Sequence, residues 1–272
     1  MEQKKSSFSK SKILYFSLVI LLAGVFLYSA LQILFYVLEG MDASEVTEEI
    51  IQEVVSPATP VIPSVSGMEG EGAIDPEELA LLYPDIRVDV KALQEKYADA
   101  IGWLYLPGTE IHYPIMHTVS NFDYLHRLPN GKENSAGSLF LDAVNSPDFS
   151  AFKNIIYGHN MKHGSMFGRL MDYRNASFFE KHPYMFLFTR DAVYRVELFA
   201  GVHTDVDSYV YNRTEDTAAK ERYVKDSKAR STFTSSVSVT AEDHVVVLST
   251  CSGGVNDPSR FVVMGKLVPL SY

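Results

Sequence analysis

The sequence predicts a mainly β domain with a few helices, preceded by one long apolar helix near the N-terminus. Residues 13–38 are almost wholly apolar, whereas residues 40–72 are acidic and then rich in Pro, Ser and Gly. From residue 75 onwards, short β-branched and aromatic runs alternate with turn-forming residues, a pattern typical of strands. The 272 residues, 46% of them hydrophobic, suffice for one domain of ordinary size with appendages.

The apolar segment 13–38 is expected to be a transmembrane signal anchor. As a helix at ~1.5 Å per residue it would be ~39 Å long, enough to cross a bilayer with some tilt. Lysines precede it and acidic residues follow it, so residues 1–12 are expected to be a cytoplasmic tail and the rest to lie outside the cell. A cleaved signal peptide is the alternative, but its apolar core would span only about 7–15 residues.

Residues 39–74 are expected to form an extracytoplasmic tether, because they lack the apolar content that packing requires. The folded domain is expected to cover residues 75–272. Asp75 and Pro76 resemble the cap and first turn of a helix, and a second helix is expected over Asp89–Asp99.

The remaining elements follow in chain order. Residues 101–117 predict a hairpin in which Pro114 directs the second strand towards a sheet edge. Further strands are expected at 137–142, 154–157, 184–189, 193–203, 237–240, 245–250 and from 260 onwards. Helical segments are expected at 121–128, 167–179 and 215–230, the last of them capped by Thr214.

Cys251 is the only cysteine and a candidate nucleophile. It ends one apolar run and Arg260 begins the next, so two strands joined by a loop would bring both to one rim. A lone cysteine is more often a small buried hydrophobe, and an arginine is as often part of a surface ion pair. At a strand end, however, Arg260 could stabilise a thiolate or an oxyanion.

His159 is the candidate acid and base. It follows the predicted strand 154–157 between Gly158 and Asn160, a position from which its ring can reach a cleft at the strand end. His159 and His163 have the spacing of two metal ligands on a helix, but no third ligand stands out. Neither a metal nor another cofactor is expected.

Together these motifs resemble those of the sortases, the cysteine transpeptidases of Gram-positive cell surfaces. The motifs are YGHN at 157–160, LSTC at 248–251 and RFVV at 260–263, placed after an N-terminal anchor. The helix at 215–230 and the segments NFDYLHRL and GSLFLD resemble class B members. The resemblance implies a sortase-like eight-stranded β-barrel with peripheral helices, one of them between the sixth and seventh strands.

The resemblance also implies residue roles. Cys251 would be the nucleophile, His159 the general acid and base, and Arg260 the residue that orients the oxyanion or the substrate. A groove for the sorting signal would be lined by Asn121, Leu125, Tyr157, Ser249, Tyr209 and Val210. Ser252 departs from the pattern, since some class B members carry an acid there.

The implied reaction cleaves a C-terminal sorting signal after Thr through a thioester and transfers the protein to an amine. Its partners would be secreted proteins with an NPxTx- or SPxTx-like pentapeptide, and a peptidoglycan precursor or a pilin as acceptor. Membrane lipid would be bound by the N-terminal helix of this single-pass protein of the Gram-positive cell membrane. The net charge of −10 argues against nucleic acid.

Two alternatives remain open at this point. A membrane-anchored cysteine peptidase would use the same Cys251 and His159 but would hydrolyse its target. A non-enzymatic surface binding module would bury Cys251, which would then react slowly with thiol reagents.

Overall fold

The computed structural model describes residues 10–58, 82–162, 164–251 and 258–270. The predicted helix start at Asp75, the metal-ligand candidate His163 and the departure at Ser252 lie outside these ranges. The chain consists of two compact units, Met1–Ser44 and Glu45–Tyr272.

In the first unit, all of the described residues (10–44) belong to helix α1 (Lys10–Val54), which continues into the second unit. The side chains of residues 11–38 are exposed, and the helix has a segment with a mean hydropathy of 2.4. By length and composition, α1 is a candidate membrane span.

The second unit begins with the C-terminal end of α1, where the structure differs from the expected tether. Val46, Ile50 and Val54 are buried and recur every four residues, so they form one apolar helix face. Strand β1 (Val55–Pro57) follows and pairs antiparallel with β2 (Ile86–Val88). The composition of residues 39–74 did not reveal this face, because a few apolar residues at helical spacing change the average hydrophobicity of a segment only slightly.

Helix α2 (Val90–Lys96) corresponds to the helix predicted over Asp89–Asp99. Its cap is Asp89, whose carboxylate accepts a hydrogen bond of 2.9 Å from the backbone N–H of Ala92. Val90 and Leu93 bury the inner face of this short helix.

Eight strands close into a barrel in the spatial order β10-β8-β7-β3-β4-β5-β6-β9, which confirms the predicted fold class. Neighbours pair antiparallel except for β4 with β5 and β6 with β9, which are parallel. The strands are β3 (Ala100–Tyr105), β4 (His112–Met116), β5 (Leu139–Leu141), β6 (Lys153–Tyr157), β7 (Tyr184–Thr189), β8 (Val193–Asp205), β9 (Val245–Cys251) and β10 (Ser259–Leu270).

Two strand predictions differ from the structure. Pro114 pairs with Trp103 inside the barrel rather than at a sheet edge, because closure removes the edges. Strand β5 begins its pairing with β4 at the next residue, Ile115. Residues 237–240 form no strand, although Val237 and Val239 do pack against the core.

Helices lie on the outside of this barrel. A 3-10 helix (Gly168–Arg174) and helix α3 (Ala176–Lys181) stand where a helical segment was predicted at 167–179. Helix α4 (Thr217–Ala229) connects the sixth and seventh barrel strands, as the resemblance implied. Its cap is Asp216 rather than Thr214, since Asp216 accepts a 2.7 Å hydrogen bond from the N–H of Ala219.

Strand β9 is apolar along most of its length because both of its faces are covered. Its residues 245–248 are fully buried. Val245 and Val247 join an outer cluster with Tyr223 and Val224 of helix α4. A strand buried on both faces is expected to be a continuous apolar run.

Candidate active site

The candidate site lies where the parallel strands β6 and β9 end. Tyr157 pairs with Ser249, and the backbone N–H of Gly158 donates a 3.2 Å hydrogen bond to the carbonyl of Ser249. Parallel strands that end together present their last residues at one edge of the sheet. His159 and Cys251, each two residues beyond this pair, therefore lie at the same rim of the barrel.

Arg260 joins this rim from the neighbouring strand. It is the second residue of β10 and the antiparallel Cα partner of Cys251, whose backbone alone is described. The partly buried guanidinium donates a 3.0 Å hydrogen bond from Nη1 to the carbonyl of Ser259. The three predicted catalytic residues are thus brought to one place by three adjacent strands.

A cavity of about 280 Å³ opens beside this rim. Five of the predicted site residues line it, together with others that the sequence did not indicate. The predicted ones are Leu125, Tyr157, His159, Ser249 and Arg260, and the others are Phe140, Gly158, Val206, Tyr211 and Thr250.

His159 is held in a defined orientation. Its Nε2 lies 2.7 Å from the carbonyl oxygen of Leu125, and its ring stacks on the exposed ring of His126 with centroids 5.5 Å apart. Because a carbonyl oxygen only accepts hydrogen bonds, Nε2 carries the proton, and Nδ1 is the basic nitrogen of the neutral ring. The Leu125 carbonyl therefore selects the tautomer.

Burial lowers the pKa of His159, and the nearby His126 lowers it further. The hydrogen bond to Leu125 acts in the opposite direction and only partly offsets burial. Since the ordinary pKa of histidine is about 6.5, His159 is mainly neutral at pH 7. At this pH, Nδ1 of the neutral ring can accept a proton while Nε2 keeps its own.

Hydrogen bonds fix the wall of the cavity. Tyr157 donates a 2.7 Å hydrogen bond to the carboxylate of Asp142, while burial and this carboxylate raise the pKa of the phenol. The hydroxyl of Tyr211 and that of Ser249 lie 2.7 Å apart and share a hydrogen bond. Ser249 is almost fully buried, so this bond ties a surface loop to the strand that ends in Cys251.

Three predicted groove residues do not line this cavity. Asn121 Oδ1 accepts a 2.7 Å hydrogen bond from the N–H of Ala143. Val210 is fully buried in the outer cluster, and the hydroxyl of Tyr209 lies 3.3 Å from that of Ser227 on helix α4.

Tyr211 is one of the five cavity-lining residues that sequence reasoning missed. Tyr209 and Tyr211 are two residues apart in a loop without regular structure, and a resemblance aligned loosely through such a loop does not choose between them. Among the described residues, no group of three or more His, Cys, Asp or Glu side chains is placed to hold a metal ion.

Comparison with known proteins gives the family. The family model described as "Sortase domain" matches residues 104–268. A protein named Sortase B from Listeria monocytogenes is 38% identical over 187 residues, which are 68% of this chain and 76% of the relative.

Solved structures agree with the sequence comparison. A Staphylococcus aureus sortase B–substrate complex matches with a TM-score of 0.64 and 29% identity, covering 67% of this chain and 85% of that one. A sortase B complexed with triglycine matches with a TM-score of 0.63 and 28% identity, covering 66% and 86%. The chain therefore belongs to the sortase family, class B, and is a cysteine transpeptidase.

Proposed function

We propose that the chain cleaves a C-terminal sorting signal after Thr and joins the protein to an amine of a cell-wall precursor or a pilin. The observation that carries this proposal is the meeting of His159, Cys251 and Arg260 at one barrel rim beside a cavity. The related structures with a substrate and with triglycine support a site that takes a peptide and an amine in turn.

In the first half-reaction, the sulfur of Cys251 attacks the carbonyl carbon of the Thr residue. The C–N bond breaks, a thioester forms, and the leaving amine takes up a proton. His159 is suited to both transfers: Nδ1 accepts the thiol proton and then gives it to the departing nitrogen. In the second half-reaction, an amine attacks the thioester and the C–S bond breaks, while His159 takes the proton of the incoming amine and returns it to the departing sulfur.

Arg260 would stabilise the negative charge that forms on the carbonyl oxygen. Its guanidinium keeps its proton at any working pH and offers two parallel donors. As the cross-strand partner of Cys251, it lies next to the backbone of the nucleophile. A charged donor in a partly buried cavity acts more strongly on an oxyanion than it would in open water.

We assign the sorting-signal groove to the cavity wall of Leu125, Tyr157 and Ser249, with Tyr211 taking the place proposed for Tyr209. The apolar surfaces of these side chains suit the proline of an NPxTx- or SPxTx-like pentapeptide. Their hydroxyl groups, fixed by Asp142 and by one another, offer hydrogen-bond partners of defined direction.

Helix α1 would anchor the enzyme in the cell membrane through residues 13–38, with the N-terminus in the cytoplasm and the barrel outside. The exposed apolar surface of α1 supports the anchor, and the lysines before it support the orientation. Both substrates, a secreted protein and a lipid-linked precursor, would then reach the enzyme at the membrane surface.

The test is a transfer assay with the full chain in detergent micelles. A library of NPxTx- and SPxTx-like peptides is offered with triglycine or other amines, and the products are identified by mass spectrometry. We expect amide products with an amine, a thioester adduct without one, and neither product from Cys251→Ala. Hydrolysis alone at every amine concentration would identify a peptidase, and a thiol that reacts slowly with alkylating reagents would indicate a binding module.

A further inference from the structure

The loop of residues 206–216, between β8 and α4, carries Tyr211 over the substrate cavity. A second cavity of about 270 Å³ lies on the other side of Tyr157 and Tyr211, which line both cavities. These two tyrosines are therefore a shared wall, and the position of Tyr211 sets the width of the proposed groove.

Lys153 contacts this loop from strand β6 of the barrel. It begins strand β6, and its Nζ donates hydrogen bonds of 2.6 Å to the carbonyl of Val210 and 2.5 Å to that of Asn212. These two carbonyls flank Tyr211 on both sides. Because side chains alternate along a strand, Lys153 and Tyr157 lie on the same face of β6, the one that the loop covers.

The partly buried ammonium of Lys153 is held by several groups. It lies 4.9 Å from the centre of the Tyr223 ring on helix α4, and Asp142 provides a negative charge nearby. A lysine seldom gives up water unless it gains other partners. Here it gains two backbone carbonyls of one loop. These bonds add to the attachments that the loop makes through buried Val210 and through the hydrogen bond between Tyr211 and Ser249.

We propose that Lys153 is a positioning residue that holds the 206–216 loop closed, so that Tyr211 stays on Ser249 and the peptide groove keeps its shape. This inference rests on the proposed function for its effect on the substrate, but the contact itself is independent of it. Tyr209 fixes the helix side of the same loop through Ser227 and through Arg230, whose guanidinium carbon lies 4.9 Å from the Tyr209 ring centre. Lys153 supplies the corresponding fixation on the barrel side.

The first experiment compares Lys153→Met with the matched control Lys220→Met in the full chain. The side chain of Lys220 also donates to a backbone carbonyl, that of Ala241, and lies over an aromatic ring, that of Phe152, and both of these partners lie outside the loop. We expect amide hydrogen exchange in residues 206–216 to increase at least about tenfold in Lys153→Met, a factor that corresponds to about 1.4 kcal/mol. Equal exchange in the two variants would overturn the inference whether or not the chain acts on peptides.

The second readout is kinetic. With the peptide that gives the most product, KM is expected to rise about tenfold in Lys153→Met, while the rate of Cys251 alkylation by a small reagent stays unchanged. Tyr211→Phe should raise KM as well and add little to Lys153→Met, because both act through one contact. Full additivity of the two substitutions would contradict the proposed coupling.

The pH dependence of KM distinguishes a role of Lys153 in positioning the loop from a role in the stability of the whole domain. Burial lowers the pKa of Lys153 to about 8, so its positive charge is lost as the pH rises through that value. The other charged and titratable groups around it are Asp142, Tyr157, Tyr211, Arg213, Glu215 and Tyr223.

We expect KM to rise above pH 8 in the wild type but not in Lys153→Arg, whose charge is permanent. The same rise in both proteins would count against Lys153. If Lys153→Met fails to fold, this pair of proteins and Tyr211→Phe decide the question.

Discussion

Gly158→Ala is expected to displace His159 while leaving the barrel folded. A Cβ atom at residue 158 would lie 2.5 Å from Leu139 Cδ2 and 2.7 Å from Phe167 Cδ2. Carbon atoms pack at about 3.5–4.0 Å, so one group has to move by about 1 Å. Both neighbours are fully buried, which leaves the Gly158 backbone and the adjacent His159 as the parts that can give way.

The size of the effect follows from this displacement. One extra methyl group in a packed core costs about 1–3 kcal/mol, which lowers Tm by about 2–4 °C per kcal/mol in a domain of this size. A misplacement of about 1 Å in a catalytic group costs about 10²-fold in rate. The loss of activity should therefore exceed what the fraction of unfolded protein explains.

The matched control is Gly201→Ala in strand β8. There a Cβ atom would lie 2.8 Å from Phe233 Cε1 and 2.9 Å from Thr232 Oγ1. The residues before and after Gly201 in the sequence are not among the proposed catalytic residues. We expect similar losses of Tm by calorimetry, but a large loss of transpeptidation at 25 °C only for Gly158→Ala. Equal activity of the two variants would refute the argument that packing at Gly158 positions His159.

Three further predictions concern the oxyanion, acid stability and the N-terminal region. Arg260→Lys should lower the rate of transpeptidation by about 10²–10³-fold, because lysine keeps the charge but lacks the paired donors. The rate of Cys251 alkylation should not change. A near-normal rate of transfer in this variant would mean that Arg260 acts through its charge alone. Burial lowers the pKa of His112 to about 4, so the unfolded state binds more protons between pH 6.5 and 4 and stability falls as the pH falls. Allowing for partial exposure of His112, the free energy of unfolding should fall by about 1–2 kcal/mol over this pH range. Urea titrations should show that this loss is absent in His112→Gln. If the free energy of unfolding depends on pH in that variant as it does in the wild type, His112 is not the cause. Removal of residues 1–44 should leave a folded, active domain. Removal of residues 1–58 also deletes the buried Ile50 and should lower Tm measurably. Equal Tm values for the two truncated proteins would contradict a packing role for the end of α1.

Local patterns allowed much of the barrel to be predicted from the sequence. The β9 run and the strand that precedes His159 are short, apolar and followed by turn residues, so their existence and their ends follow from neighbouring residues alone. Cys251 and Arg260 were also predicted to lie at strand ends, and in the structure both lie at the same rim of the barrel. It required only that each residue lie where a buried strand meets a loop.

Contacts between distant segments were not predictable in the same way. An average over the composition of residues 39–74 contains no information about the burial of Ile50. Lys153 illustrates the same limit, because its partners Val210 and Asn212 belong to an irregular loop far along the chain. Lys153 shows no local pattern that distinguishes it from an ordinary solvent-exposed lysine, whereas Ile50 belongs to an apolar helix face that an average over composition does not register.

The parallel pairing of β6 with β9 has a consequence for how activity arises during folding. Lys153 pairs with Val245, so the strands that carry His159 and Cys251 are joined only by a contact between residues far apart in sequence. Contacts of this kind form slowly, after hairpins between consecutive strands such as β9 and β10. In the proposed mechanism, the thiol of Cys251 therefore has no acid–base partner until β6 pairs with β9. We expect the regain of activity on refolding to follow the formation of this pairing.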